Sequence, residues 1–434
     1  MRKSGFSLLS LVVGVCALPS VAFAQDAAPA APVPAPGAPT PVAAPPANAA
    51  DANPAAPAPT PPADTMPAPA PVEAAPAAPP AVTYPNMAIT GYVEGAWHRG
   101  LVEHSNSYAQ LPTHVYDAGN GFQLHAMHLS VHSAVNEHVS ATVDIDAGSD
   151  AAFNNGSALG PNRTLFDIQE AYAQLTDAGF TFTVGKFATY EGIELIEGPT
   201  DPTLTRGLLY AFAEPITHVG AKLHYTNAMV DVGVGIVNGW DTNGATTGLA
   251  MGAPSIWTAD NNNNKTLIWR LGITPDPIFW AGFSGTYGVE KAGQDTDPRL
   301  SLDLTGAIIP SPMLTINFQG NYGSEKHDVA SDPAGAPTVL DKSASWWGLG
   351  LQPVVHMDAA SLGARLEYFK DTNGARIALA DDTGYLNFTL TPGYTFYDAF
   401  TIRGEFRYDH ATKEVLANAA KGQTSIGIGA HYVF

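Results

Sequence analysis

The sequence predicts an all-β chain: a transmembrane, antiparallel, up-and-down β-barrel of about sixteen strands, with fourteen and eighteen as the neighbouring counts. A disordered Ala/Pro-rich N-terminal arm precedes it. Three observations predict this class. Apolar and polar residues alternate with period two through segments of roughly ten residues, the length that crosses a bilayer when a strand is tilted. The gaps between segments alternate between short and long, as the two ends of a membrane barrel require. The chain also ends in an alternating strand, "GIGAHYVF", with aromatic residues at Tyr432 and Phe434.

The first residues read as a secretory signal. Arg2 and Lys3 start it, an apolar run from Phe6 to Pro19 follows, and "AFA" (Ala22 to Ala24) supplies a small-x-small cleavage site. Residues 1–24 are therefore set apart from the fold. The only cysteine, Cys16, leaves with them, and Val15 before it argues against a lipid anchor. The remaining chain then has no disulfide and no Cys metal ligand. Residues 25–82 are almost entirely Ala and Pro, with no Lys or Arg. Proline fixes φ and removes a donor, so neither helix nor sheet propagates there. At ~3.1 Å per residue, a polyproline-like arm could reach over ~100 Å. It reads as a spacer, or as a segment touching the cell wall or another periplasmic protein.

Formal charge is −20. Without Arg2 and Lys3 it is −22, from 18 basic against 40 acidic side chains. Such a chain repels nucleic acid. No later run approaches the ~18 apolar residues of a membrane helix. Only 14% of residues are charged, against about 25% in an ordinary soluble domain.

From about residue 86 onward the strands can be read in turn. "VSATVDIDA" sets Val139, Ala141, Val143 and Ile145 against Ser140, Thr142, Asp144 and Asp146. "LTINFQGNY" sets Leu314, Ile316, Phe318, Gly320 and Tyr322 against Thr315, Asn317, Gln319 and Asn321. "FTIRGEFRYD", "YLNFTLTP" and "RLSLDLTGA" alternate likewise. Predicted strands start near residues 88, 121, 138, 166, 180, 217, 229, 265, 278, 300, 313, 345, 361, 385, 400 and 424. A soluble sandwich also alternates, but does not need long and short connections in strict turn. An even count puts both chain ends on the short-turn, periplasmic side, so the arm hangs there. Pro353 and Pro392 fall inside predicted strands, where proline is unwelcome. Both lie toward the short-turn end, where a bulge or a fray absorbs them.

One stretch carries a family resemblance. It contains Gly185-Lys186-Phe187, Gly192-Ile193-Glu194, Thr205-Arg206, Pro215-Ile216-Thr217-His218-Val219-Gly220 and Asn238-Gly239-Trp240-Asp241. Together with "GYVEGAW" (Gly91 to Trp97) and "QEAYAQL" (Gln169 to Leu175), this set resembles the OmpL-like β-barrel porin family over roughly residues 86–434. The resemblance implies an outer-membrane barrel of a Gram-negative bacterium with pore activity, and no particular solute. It makes residues 83–434 the barrel domain. Outer-membrane lipid, the barrel assembly machinery and a homo-oligomeric partner are then the expected contacts. Tyr432 and Phe434 are the candidate assembly signal.

Several clusters invite chemistry. "FQLHAMHLSVHSAV" packs His125, His128 and His132 into eight positions. On a strand, His128 and His132 share the lumen face about 13 Å apart. Zinc ligands lie ~2 Å from the metal, so one ion does not bridge them. His125 has lipid-side parity, near the rim or at a bulge. The long gap 191–216 carries Glu191, Glu194, Glu197, Asp201 and Arg206, then an apolar "GLLYAF". The expectation is that it folds into the lumen, buries Leu208, Leu209 and Phe212 against the wall and forms an acidic constriction. An outward loop, or an extra strand over Leu208 to Phe212, are the alternatives.

Other lumen-parity charges are Asp144, Asp146, Asp231, Asp303, Glu367, Glu405 and Asp409, with Arg270, Arg365, Arg403 and Arg407. Same-strand pairs (Arg365/Glu367, Arg403/Glu405/Arg407) read as wall-bound salt bridges. The alternative is a transverse field across the lumen. No ladder of Lys and Arg suits an anion-selective pore. "ADNNNNK" (Ala259 to Lys265) matches no calcium loop. No nucleophile elbow or phosphate loop is present. The reading is a non-enzymatic pore without metal or cofactor, passing small hydrophilic solutes with a preference for cations or neutral molecules. The rival is a plugged or narrow barrel with a structural or adhesive role.

Overall fold

The computed structural model describes residues 84–101, 121–154, 165–240, 262–290, 296–326, 329–331, 337–339, 343–377, 380, 382–416 and 419–434. The signal segment and the Ala/Pro arm lie outside the described residues. Strand β1 is Asn86–Gly100, β2 Gly121–Ala134, β3 Val139–Ala147, β4 Phe166–Asp177, β5 Phe180–Ala188 and β6 Thr217–Thr226. There follow β7 Val230–Val237, β8 Thr266–Asp276, β9 Phe279–Gly288, β10 Arg299–Ser311 and β11 Leu314–Glu325. A small hairpin, β12 Val329–Ser331 and β13 Pro337–Val339, interrupts the series. Then come β14 Ala344–Met357, β15 Ala360–Asp371, β16 Thr383–Phe396, β17 Phe400–Ala411 and β18 Gly422–Val433. Two short helices, α1 (Ser149–Asn154) and α2 (Leu208–Phe212), complete the described elements with a 3₁₀ turn at Gly198–Thr200.

All strands but the hairpin close into one antiparallel barrel of sixteen, each paired with its neighbour in sequence and β11 with β14. β18 pairs with β1 from Tyr92↔Val433 to Gly100↔Ser425 and seals the seam. Closure matters because an open edge would leave backbone donors bare in lipid. The predicted starts and the observed ones differ by two residues or fewer.

Period two decides which side chain faces where. Val139, Val143, Tyr322, Phe400 and Phe406 project outward and are exposed, while Asp144, Asp146, Gln319, Asn321, Arg403 and Arg407 project inward and are buried. This is a core turned inside out, with an apolar outer belt and a polar interior. No helix among the described residues is long and apolar enough to cross a membrane; the crossing is by strands.

Both prolines are accommodated by gaps in one ladder. Pro353 stays opposite Ile316 of β11, while the β15 ladder jumps from Leu351↔Leu366 to Val354↔Gly363. Pro392 stays opposite Leu362 of β15, while the β17 ladder jumps from Leu390↔Phe406 to Gly393↔Arg403. A residue with no N–H can satisfy one neighbour only, and each gap lies on the other side.

Two bulges change the faces that simple alternation assigns. In β2, Glu94 pairs with Ala126 and Gly95 with Leu124, so His125 has no opposite residue. The extra residue turns His125 inward, where it is 1% exposed. This corrects its lipid-side assignment. In β4, Asp144 pairs with Glu170 and Ile145 with Ile168, leaving Gln169 as the extra residue.

Candidate functional site

The connection from β5 to β6, residues 189–216, lies inside the barrel and is tied to the far wall. The segment "LLYAF" forms α2, not a strand, because it is closed by a helical bond from Ala213 N to Leu209 O. Leu208, Leu209 and Phe212 pack with Trp240, Trp346, Phe369, Tyr385 and Leu416 in one buried apolar cluster. Trp346 Nε1 donates to Ala213 O at 3.3 Å, and Arg376 Nε donates to Phe212 O at 2.6 Å. The Arg376 guanidinium lies over both tryptophan rings, 5.1 and 5.2 Å from their centroids. Inside a polar lumen this apolar cluster anchors one end of the loop by burial.

Backbone groups anchor the rest. Where a loop is buried against the wall, its amides and carbonyls must find partners there. Arg365 Nη1 donates to Thr205 O at 2.6 Å and Arg365 Nη2 to Arg206 O at 3.1 Å. Arg403 Nη1 donates to the carbonyls of Gly198, Asp201 and Thr203 at 3.2, 3.0 and 3.2 Å. Arg407 Nη1 donates to Arg206 O at 2.6 Å. The loop's N–H groups meet carboxylates: Leu204 and Thr205 donate to Glu405 at 2.6 and 3.1 Å, and Leu208 donates to Glu367. Gly192 N donates to Asp303 at 3.2 Å. Gly192 has φ +98°, and a Cβ there would lie 2.2 Å from Glu214 Oε1, so this bend needs glycine.

These contacts define where the sequence-predicted residues sit. Glu191 accepts from Ser301 Oγ. Glu194 pairs with Arg365 at 2.7 Å and accepts from Gly207 N and Gln352. Asp201 pairs with Arg206, which also reaches Asp150 of α1 at 2.9 Å. Burial pushes the Asp201 carboxyl well above the usual carboxylate range, against the pull of Arg206. Burial opposes the Arg206 charge, but Asp150, Tyr210 and Asp201 hold its pKa well above the usual value. Arg206 thus clamps α1 to the loop. Glu197 is half-buried. Burial raises its pKa, His128 lowers it, and Asp146 and Asp144 raise it further.

On the wall, His128 Nδ1 lies 2.7 Å from Asp146 and its ring stacks on Tyr92 at 5.2 Å. His132 bonds Thr142 at 3.0 Å. Asp231 meets both Arg270 at 2.7 Å and His224 at 2.6 Å. Asp303 accepts from Gln319 and Asn321 at 2.8 and 3.1 Å. Arg365 Nε lies 3.7 Å from Glu367. Arg403, Glu405 and Arg407 do not form the same-strand chain expected of them. Arg403 reaches Glu94 at 2.6 Å, Glu405 serves the loop amides, and Arg407 pairs with Asp409 at 3.0 Å. The loop, which alternation along one strand cannot see, recruits them instead. At the seam, Phe434 exchanges backbone bonds with Gly91 at 2.9 and 3.0 Å. Tyr432 and Phe434 stack on the outer face, about half-exposed.

The residue that sequence reasoning passed over is Glu94. It is fully buried and joins Arg403 to His125, at 2.6 and 2.8 Å. Its lone charge in the apolar "GYVEGAW" was the available signal. His125, Asp150, Glu170 and Glu214 were hidden by the bulges or by their partners' distance in sequence.

The family model described as "Putative beta-barrel porin-2, OmpL-like" matches residues 86–434. No curated protein matches the chain. Among solved structures, outer-membrane-expressed OmpT of Vibrio cholerae is similar at 12% identity and a TM-score of 0.52, over 80% of this chain and 97% of that one. The anion-selective porin from Comamonas acidovorans is similar at 11% identity and TM-score 0.51, over 80% and 99%. The outer membrane channel DcaP of Acinetobacter baumannii gives 10% and 0.51, over 80% and 97%. At such identities these likenesses speak for the fold, and the family match speaks for kinship. The sixteen-stranded closed barrel with a polar interior thus belongs to the OmpL-like β-barrel porin family.

Proposed function

We propose that this barrel stands in the outer membrane of a Gram-negative bacterium and lets small hydrophilic solutes diffuse passively, favouring cations and neutral molecules. It needs no cofactor and carries out no catalysis. The observation that carries this reading is the division of the interior. The docked loop fills the interior from β10 round to β17, while the β2–β4 wall keeps half-buried polar groups such as Ser130, His132 and Glu170, with Glu197 of the loop. Acids predominate there, and a lumen lined by one sign of charge raises the local concentration of the opposite ion. Most loop carboxylates are already paired with arginines or hydroxyls, so the cation preference falls to the wall acids and Glu197. The Ala/Pro arm extends into the periplasm, where it spaces or touches the cell wall. Tyr432 and Phe434 present the terminal strand to the barrel assembly machinery, and copies of the barrel associate in the membrane.

A second reading, a plugged barrel with a structural or adhesive role, is favoured by the apolar packing of α2. Liposome swelling separates the two. Swelling in neutral sugars that slows with sugar size supports the pore, and folded protein that gives no swelling supports the plug.

A further inference from the structure

We propose that the inner wall of β3 and β4 carries a binding site for small organic cations bearing protonated amino groups, built from Asp144, Glu170 and Glu197 with the Gln169 amide beside them. The proposal deepens the porin reading and rests on it for access from solution.

Two neighbouring rungs of the β3–β4 ladder concentrate acids. Asp144 lies directly opposite Glu170, and Asp146 directly opposite Asp167. Like charges in such pairs destabilise a sheet. The second rung is balanced, because Asp146 has His128 at 2.7 Å and Asp167 has Lys186 at 3.2 Å. Among the described residues the first rung has no such cation. On its β2 side Asp144 faces Ser130. Glu170 accepts a bond from Ala188 N. Lys222, whose ammonium sits over the rings of Phe187 and Tyr190 at 4.7 and 4.8 Å, acts on it electrostatically. Glu197 of the loop adds its charge to the same group. Among the described residues, Asp146 and Asp167 thus have basic partners, while Asp144 and Glu170 have no ion-pair partner.

A second observation points to a ligand. Asp144 is 5% exposed, and its Oδ1 has no hydrogen-bond partner. Gln169 is 1% exposed, and neither its amide oxygen nor its amide nitrogen has one. The β4 bulge puts both Gln169 and Glu170 on the inner side. Orphaned buried polar groups of this kind are costly, and a ligand with several N–H donors would satisfy them.

The geometry also selects the class. Among the described residues no three His, Asp or Glu are placed to ligate one metal ion, which favours a ligand that brings its own hydrogens. Tyr172, half-buried on the same face of β4, offers a ring for a cation–π contact.

The test uses 1,4-diaminobutane as the probe and 1,4-butanediol as its neutral counterpart. Current through the refolded protein in a planar bilayer should fall on adding the diamine at millimolar concentration and not on adding the diol. Asp144→Asn and Glu170→Gln should each raise the half-blocking concentration tenfold or more. Both remove a repulsion and keep an acceptor oxygen, and heat-modifiable mobility checks that each variant folds. Equal block in wild type and both variants overturns the site. So does equally strong block by Mg²⁺ that the same variants weaken, which would make it a bare-ion site. Equilibrium dialysis of labelled diamine against the refolded protein in detergent reads binding without current. Binding that both variants abolish, in a protein that passes no current, keeps the site and rejects the pore. Current without binding or block rejects the site and keeps the pore.

Discussion

Replacing Arg365 with methionine should loosen the loop inside the barrel. The side chain is fully buried and donates to Glu194 at 2.7 Å, Thr203 Oγ1 at 2.6 Å, Thr205 O at 2.6 Å and Arg206 O at 3.1 Å. Methionine keeps much of the volume and none of the donors. Glu194 would retain Gly207 N and Gln352 but lose the one cation paired with it among the described residues. Breaking a buried ion pair from one side costs about 3–5 kcal/mol. At ~1.4 kcal/mol per tenfold, that lowers the docked-to-undocked ratio of the loop by about two to four orders of magnitude. Arg403 and Arg407 still hold neighbouring carbonyls, so the barrel itself should assemble. The assay is single-channel recording of the refolded variant. Larger conductance with frequent flicker between levels is the expected result. Conductance and noise equal to wild type would refute the reasoning that this arginine holds the loop in place.

Phe318→Arg, on the outer face near mid-strand, should cost about 2–4 kcal/mol and block assembly, read as loss of the heat-modifiable band. Asn317→Arg on the inner face should assemble, and equal behaviour of the two would contradict the assigned faces. Glu197→Gln should reduce cation preference, measured as a smaller reversal potential in a salt gradient, whereas Glu191→Gln should alter gating noise more than selectivity. Burial, with Asp303, Glu191 and Glu194 beside it, raises the Glu214 carboxyl well above its usual value. Its ionisation therefore opposes docking above that raised pKa. Thermal stability should rise as pH falls from that raised pKa toward about 4.3, below which the undocked group is protonated too and the gain is complete. Glu214→Gln should flatten this part of the pH profile, as followed by heat-modifiable mobility; an unchanged profile would remove Glu214 from the explanation.

The barrel was legible because its cause is local. Val143 against Asp144, or Phe318 against Gln319, tells the face of a strand within two residues, and turn lengths tell which end is which. Pro353 and Pro392 drew suspicion in sequence and lie in ladder gaps in the structure. The interior was legible only in part, because its partners are far apart in the chain. Glu405 meets Thr205 and Arg365 meets Glu194 across 200 and 171 positions, and no periodicity encodes such pairings. His125 could not be placed by alternation, since one extra residue in β2 reverses the rule. The same holds for Gln169 beside Glu170. Apolar "LLYAF" in a long connection announced burial, but not whether helix or strand would provide it.

The central claim is a water-filled, cation-preferring pore along the β2–β4 wall. Reversal potential under a KCl gradient, from single channels of the refolded protein in a planar bilayer, tests it most directly. Discrete steps and a reversal potential of the sign set by potassium are the expected result. Steps with a reversal potential set by chloride would contradict the selectivity, and a folded barrel that passes no current would contradict the pore.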